Sequence, residues 1–336
     1  MTDGKGWREA YLGGSKAAED ALIDRFTRQI VEVQAGLAGG PQAQKRRAFH
    51  AHMRTGSKAR FQVMPGIPDA LQVGLFQPGA EYDALVRFSN ASGATAPDPD
   101  RDLRGVAVRI TTGDSHTLLS TGAEGNIQDF LMTNAPASHA RDPVQFMDFA
   151  LVRLHRWTWL PRLLLKIGPA ETIRMLNSLR VASSREVLSL AAEQYWGRAP
   201  VQFGEAAVKF KLQPSDVPGN GQPGTAPDYL REDLKKRMKS GDMAFDFKVQ
   251  LYADESRTPI EDGVVEWKES DSPFITVAKL VIQQQDLDSE DARVTESMIE
   301  RLAFNPWNAS GEFRPLGSLN RARLRVYKAS VEASGR

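Results

Sequence analysis

The chain has 336 residues, 41% of them hydrophobic, with 43 lysines and arginines against 42 aspartates and glutamates. That content supports a large buried core and excludes a disordered chain, while a net charge of +1 gives no reason to expect nucleic acid or an acidic partner. There is no cysteine, so disulfides, zinc–thiolate sites, iron–sulfur clusters and cysteine nucleophiles are excluded.

The first residues, MTDGKGWREAYLGG, lack the apolar core of a signal peptide, and no uncharged run is long enough to span a bilayer. A cytoplasmic protein is the default expectation. From Ser15 to Ala38, Leu22, Phe26, Ile30, Val33 and Leu37 recur at helical spacing, and Gly39-Gly40-Pro41 ends the pattern. Phe61–Val63 and Leu71–Phe76 read as short strands between Pro65, Gly66, Pro68 and Gly79.

The stretch from Leu85 to Phe149 carries the strongest signals. Val86 and Phe88 alternate with Leu85 and Arg87, and Val106, Val108 and Ile110 share one face of a second strand. Phe130–Met132 is a third apolar run, stopped at Asn134-Ala135-Pro136, and a helix can start after Asp142-Pro143. Residues 144–196 read as largely helical. Within them VQFMDFALVRLHRWTWLPRLLLKIG is both apolar and basic. Docking on a membrane surface is one reading of that segment, and a helix pair packed on a barrel is the favoured one.

Val208, Phe210 and Leu212 alternate in the next strand, and Pro214–Asp228 is a proline- and glycine-rich loop. A charged helix over Tyr229–Ser240, strands over Phe245–Tyr252 and Phe274–Ile282, and an acid-started helix over Ser289–Phe304 follow. A loop then leads into a basic terminal helix. There is no internal repeat. Many short strands with helices before, between and after predict an α+β fold, an antiparallel β-barrel with surrounding and C-terminal α-helices.

VRFSNASG, RDLRGVAVRI and TNAPASHARDPVQF closely resemble the core of the haem-containing catalase family. Two further markers of that family are present, Arg47-Ala-Phe-His50 upstream and Arg323-Leu-Arg-Val-Tyr327 near the C-terminus. QYWGRAPVQFGEAAVKFKL, MKSGDMAFDFKVQLYAD, VVEWKESDSPFITVAKLVIQQQDL and ERLAFNPWN resemble its later segments, so the likeness runs from about residue 45 to 327. It implies a helical extension over 1–45 and one catalase-like haem-binding barrel domain over 46–336. It is a likeness to a small member, without the long N-terminal arm or the flavodoxin-like C-terminal domain of larger ones.

The resemblance implies haem b as cofactor, with Tyr327 as the iron ligand. A free phenol ionises near pH ~10, so an iron-bound phenolate at neutral pH needs help, and Arg323, one helical turn earlier, is placed to give it. His50 is implied as the distal base, since a neutral imidazole can take a proton from one peroxide oxygen and return it to the other. His52 is its rival, but the spacing from Arg47 prefers His50; His116, His139 and His155 have no such setting. Asn134 resembles the asparagine that holds the peroxide, and Ser89 the serine that fixes the imidazole tautomer. Arg47 and Arg87 resemble arginines that pair with haem propionates, and Phe146 the aromatic that stacks on haem. Phe49 stands where catalases commonly have valine, which gives the pocket a different shape. Ser334 stands where they place another propionate arginine, with Arg321 as a candidate substitute.

The activity implied is a haem hydroperoxidase acting on hydrogen peroxide or organic hydroperoxides. A fatty-acid hydroperoxide isomerase of allene oxide synthase or epoxyalcohol type, and a haem-binding protein without turnover, are the alternatives. Partners expected are a peroxide or lipid hydroperoxide, with no nucleic acid, and a homo-oligomer among the open readings.

Overall fold

The computed structural model describes residues 6–37, 53–90, 97–100, 102–113, 117–119, 126–152, 157–216 and 224–334; the side chains of residues 30–37, 327, 328 and 330–334 lie outside that description. Helix α1 (Lys16–Leu37) precedes strands β1 (Met53–Val63), β2 (Glu81–Asn90), β3 (Arg104–Thr111) and β4 (Ile127–Thr133). Helices α2 (Pro143–Val152), α3 (Trp159–Ile167) and α4 (Pro169–Ser184) then lead to β5 (Tyr195–Trp196), β6 (Val201–Phe203) and β7 (Ala206–Pro214). Helix α5 (Tyr229–Ser240), strands β8 (Met243–Leu251) and β9 (Phe274–Ile282), and helices α6 (Glu290–Arg301) and α7 (Gly317–Ser334) complete the chain.

Every strand pairing is antiparallel. The ring runs β1-β2-β3-β4-β5-β7-β8-β9 and returns to β1, and β6 extends β7 as a short hairpin. Short β5 makes the closure, because Trp196 pairs Thr133 on one side and Lys211 on the other. This is a closed eight-stranded barrel, so the ring itself has no free edge, and β6 stands outside it.

Alternation along the strands decides what the barrel holds. Ala84, Val86 and Phe88 on β2, Val106, Val108 and Ile110 on β3, and Phe130 and Met132 on β4 all point inward and are buried. Phe61, Phe76, Phe130, Phe210 and Phe247 interlock at ring separations of 4.8–6.5 Å. The lumen is therefore a packed phenyl core and offers no room for a ligand.

Two expectations from pattern alone are corrected. Leu71–Phe76 is no strand; a single 3-10 turn covers Asp69–Leu71, and Leu71 and Phe76 are buried as plugs of the core. Helix also stops at Ser184, and residues 185–194 are irregular before β5. In both places apolar residues are buried by the loop's path, so burial produced a strand or helix pattern without one. Among the described residues no helix is long and apolar enough to cross a membrane.

Candidate active site on the outer wall of the barrel

With the lumen filled, a site has to lie on the outer faces of the strands. Register places Arg87, Ala107 and Leu131 in one row across β2, β3 and β4, and Ser89, Gly105 and Thr133 in the next. Strands lie about 4.8 Å apart, so each row spans roughly 10 Å. Four of these six side chains are small or absent, which leaves this patch of wall nearly flat. Leu131 also lines a small cavity with Arg198, Pro306 and Arg323 and with the core rings Phe130, Phe210 and Phe313, so Arg323 of α7 reaches the β4 end of the row while Arg87 marks its β2 end.

The surrounding polar groups explain why α7 sits there. Arg109 Nε and Nη2 each donate to the Asp129 carboxylate at 2.8 Å, and Asp129 Oδ2 also accepts from Asn305 N and Asn308 Nδ2. This buried pair pins the FNPWN loop to the outer wall, and Trp307 Nε1 in turn donates to Asn320 O of α7 at 2.7 Å. At the start of α7, Gly317 has φ +82°, and a Cβ there would lie 2.7 Å from Ile260 O, so only glycine fits. Gly317 N and Ser318 N donate to Glu9 and Glu261, placing two carboxylates at the positive end of the helix dipole.

Each residue singled out from sequence can now be placed. Ser89 and Arg87 are buried on the outer face of β2, and Arg87 Nη2 meets Glu300 of α6 at 3.3 Å. Asn134 directly follows β4; its Oδ1 accepts from Arg104 N at 2.8 Å and its Nδ2 donates to Glu193 Oε2 at 3.0 Å. Phe146 lies on α2, which packs against both α3 and α7. Arg323 is on α7 and reaches Asn320 Oδ1 at 3.4 Å. Tyr327 follows one turn later on the same helix, and its side chain lies outside the described residues, as do Arg47, Phe49 and His50. Arg87, Ser89, Asn134 and Arg323 thus gather around one patch of wall.

Arg321 does not join them. Its guanidinium bonds Glu9, Glu19 and Glu261 on the opposite side of α7, so it is committed to the N-terminal segment and is no substitute for the arginine missing at Ser334.

Three residues of this region were not found by sequence reasoning. Glu193 holds the Asn134 amide, and Arg198 shares the cavity with Arg323; neither lies in a recognisable motif. His139 is the third. Among the described residues neither of its ring nitrogens has a hydrogen-bond partner although both are buried, and its ring packs on Phe146 and Phe149 at 5.4 and 5.6 Å. Burial, with help from the Arg198 and Arg174 cations, pushes its pKa down to about 3, so it is a neutral imidazole. Thr133 Oγ1, at the end of the outer row, is a further buried polar atom with no partner among the described residues.

Residues 44–155 match the family model for catalase. The chain is 24% identical over 250 residues to a catalase from Methanosarcina barkeri, covering 70% of this chain and 47% of that one. It is 26% identical over 275 residues to a catalase-related peroxidase from Mycolicibacterium paratuberculosis, covering 76% and 78%. The crystal structure of a fungal catalase superposes with a TM-score of 0.66 at 17% identity, over 84% of this chain and 58% of that chain. The chain is similar to catalases and to a catalase-related peroxidase. It spans about half the length of the archaeal catalase, and its barrel with surrounding helices is the catalase fold.

Proposed function

We propose that this catalase relative is a haem-dependent hydroperoxidase, and that residues of the outer wall between Arg87 and Arg323 would hold its cofactor. The observation that carries this reading is the flat patch itself, Ser89, Gly105 and Ala107, with an arginine at each end. The unpartnered His139 nitrogens and Thr133 Oγ1 beside it fit a bound group, because orphaned buried polar atoms cost about 1–3 kcal/mol each unless something answers them. Arg47 and Arg87 would pair with the propionates, Phe49 and Phe146 would pack on the ring, and Tyr327, supported by Arg323, would ligate the iron. When bound, haem supplies an iron that accepts a peroxide oxygen, and tyrosinate ligation favours its high oxidation states.

The chain's own residues do the proton work. His50 takes the proton from the inner peroxide oxygen and returns it to the leaving outer oxygen. Ser89 accepts from the other imidazole nitrogen and keeps the first one free to act as base. Asn134 has a second Nδ2 hydrogen beyond the one given to Glu193, and that hydrogen can hold the peroxide. Helices α3 and α4 present exposed Leu165 and Ile173, which favours a second reading in which the substrate is a fatty-acid hydroperoxide.

The test is to purify the chain from cells supplied with haem precursor, record its absorption spectrum, and compare turnover of hydrogen peroxide with that of a fatty-acid hydroperoxide. Bound haem with peroxide consumption supports the proposal, and oxygen evolution from hydrogen peroxide alone removes the lipid reading. His50→Ala is expected to keep haem and lose peroxide consumption. Tyr327→Phe should change the haem spectrum or empty the site.

A further inference from the structure

We propose that the outer face of α3 and α4 docks on an anionic lipid surface, an inference independent of whether the chain turns over peroxide. Large apolar side chains that stay exposed concentrate on these two helices and the turn before them: Trp157 at 85%, Leu165 at 88%, Ile173 at 68% and Val181 at 59%, with Leu160 and Leu164 at the border. They are not the packing face. Leu163 and Met175 are fully buried in a small core with Phe146, Phe149, Trp159 and Ile167, so the pair is apolar on both its inner and its outer side. Exposed apolar patches of this kind on a helix pair mark an interaction surface.

Charge selects the occupant. From Trp157 to Ser184 the sequence carries four cations and one anion; Arg174 pairs with Glu171 and Lys166 with Asp148, which leaves Arg162 and Arg180. Arg162 donates to the Thr158 hydroxyl and Arg180 to the Asn177 side-chain oxygen, and no carboxylate answers either among the described residues. A lipid surface supplies the missing anions as headgroup phosphates and receives Trp157 and Leu165 at the acyl boundary, the arrangement of an interfacial helix. A second copy related by a two-fold axis would instead set the same cations against one another, which is unfavourable. Because the inner side of α3 rests on α2, a docked membrane would lie one helix layer from Phe146.

Co-sedimentation of the full chain with phosphatidylcholine vesicles, with and without phosphatidylglycerol, tests this. Binding is expected only to the anionic vesicles and should fall as salt rises. Arg162→Gln with Arg180→Gln should weaken binding about 25-fold, at about fivefold per cation, and Leu165→Ser about tenfold or more. Should Leu165→Ser fold poorly by circular dichroism, the exposed arginine pair decides alone. No binding to anionic vesicles at low salt, or equal binding by the arginine variant, overturns the proposal. So does a dimer in sedimentation velocity that Leu165→Ser converts to monomer, because the face would then belong to a second copy.

Discussion

His139 shows what a single residue can hide. It lies inside the family-like stretch TNAPASHARDPVQF, but the resemblance attaches no role to it, and a lone histidine is more often structural than functional. In the fold both nitrogens are buried, beside Phe146 of the candidate site and without partners among the described residues. His139→Phe removes those unmet groups and keeps a ring against Phe146 and Phe149, so the cofactor-free chain should gain about 1–3 kcal/mol in urea denaturation. The pH dependence has a definite sign. Between pH 6.5 and about 3 the unfolded chain binds a proton that the folded chain refuses, so stability falls as pH drops through that window and is untouched above it. The wild type should lose about 1.4 kcal/mol per pH unit more than His139→Phe between pH 6 and 4; parallel curves would remove the buried imidazole from the account. Asn134 is the converse case. TNAP made it legible, but its bonds to Arg104 and Glu193 were not, because those partners lie 30 and 59 residues away. Replacing it with leucine should destabilise by about 1–3 kcal/mol, quite apart from any effect on peroxide.

At the scale of elements, the terminal helix was the clearest reading and its surroundings the least clear. A basic helix at the C-terminus follows from composition, and α7 is one. That it is clasped by α1 does not follow, since α1 reads as amphipathic and yet buries Glu19, at 1% exposure, against Arg321. Burial opposes the Arg321 charge, but Glu19, Glu261 and Glu9 together hold it above the usual guanidinium range. Arg321→Met would leave Glu19 and Glu9 as partly uncompensated buried carboxylates, and the loss should be about 3–5 kcal/mol, read as a lower urea midpoint. Because α7 carries Arg323 and Tyr327, the same variant should also loosen any haem held there, visible as faster transfer of haem to apomyoglobin. Unchanged transfer would separate the clasp from the site. The charged helix over Tyr229–Ser240 was read at its true bounds, since Asp228 and Gly241 flank it and Leu230, Leu234 and Met238 repeat every four residues.

The whole molecule is held by its lumen. Phe247 touches the rings of Phe61, Phe76, Phe130 and Phe210, so it joins β8 to β1, β4, β7 and the segment before β2. Phe247→Ala should cost about 3–5 kcal/mol, and near-ultraviolet circular dichroism and urea unfolding should shift together, because one core serves all the strands. Separate transitions would mean that the two halves of the barrel unfold independently. The amino-acid sequence determined by itself which residues face inward, since a period of two needs only local chemistry to be read. It also carried the catalase-like words in which Ser89 falls on β2, Asn134 just after β4, and Arg323 and Tyr327 on α7. Tertiary structure alone decided that two residues of β5 close the ring, that the barrel interior is solid, and that the candidate site is on the outer wall. Those outcomes depend on pairings between residues far apart in the chain, which no local pattern encodes.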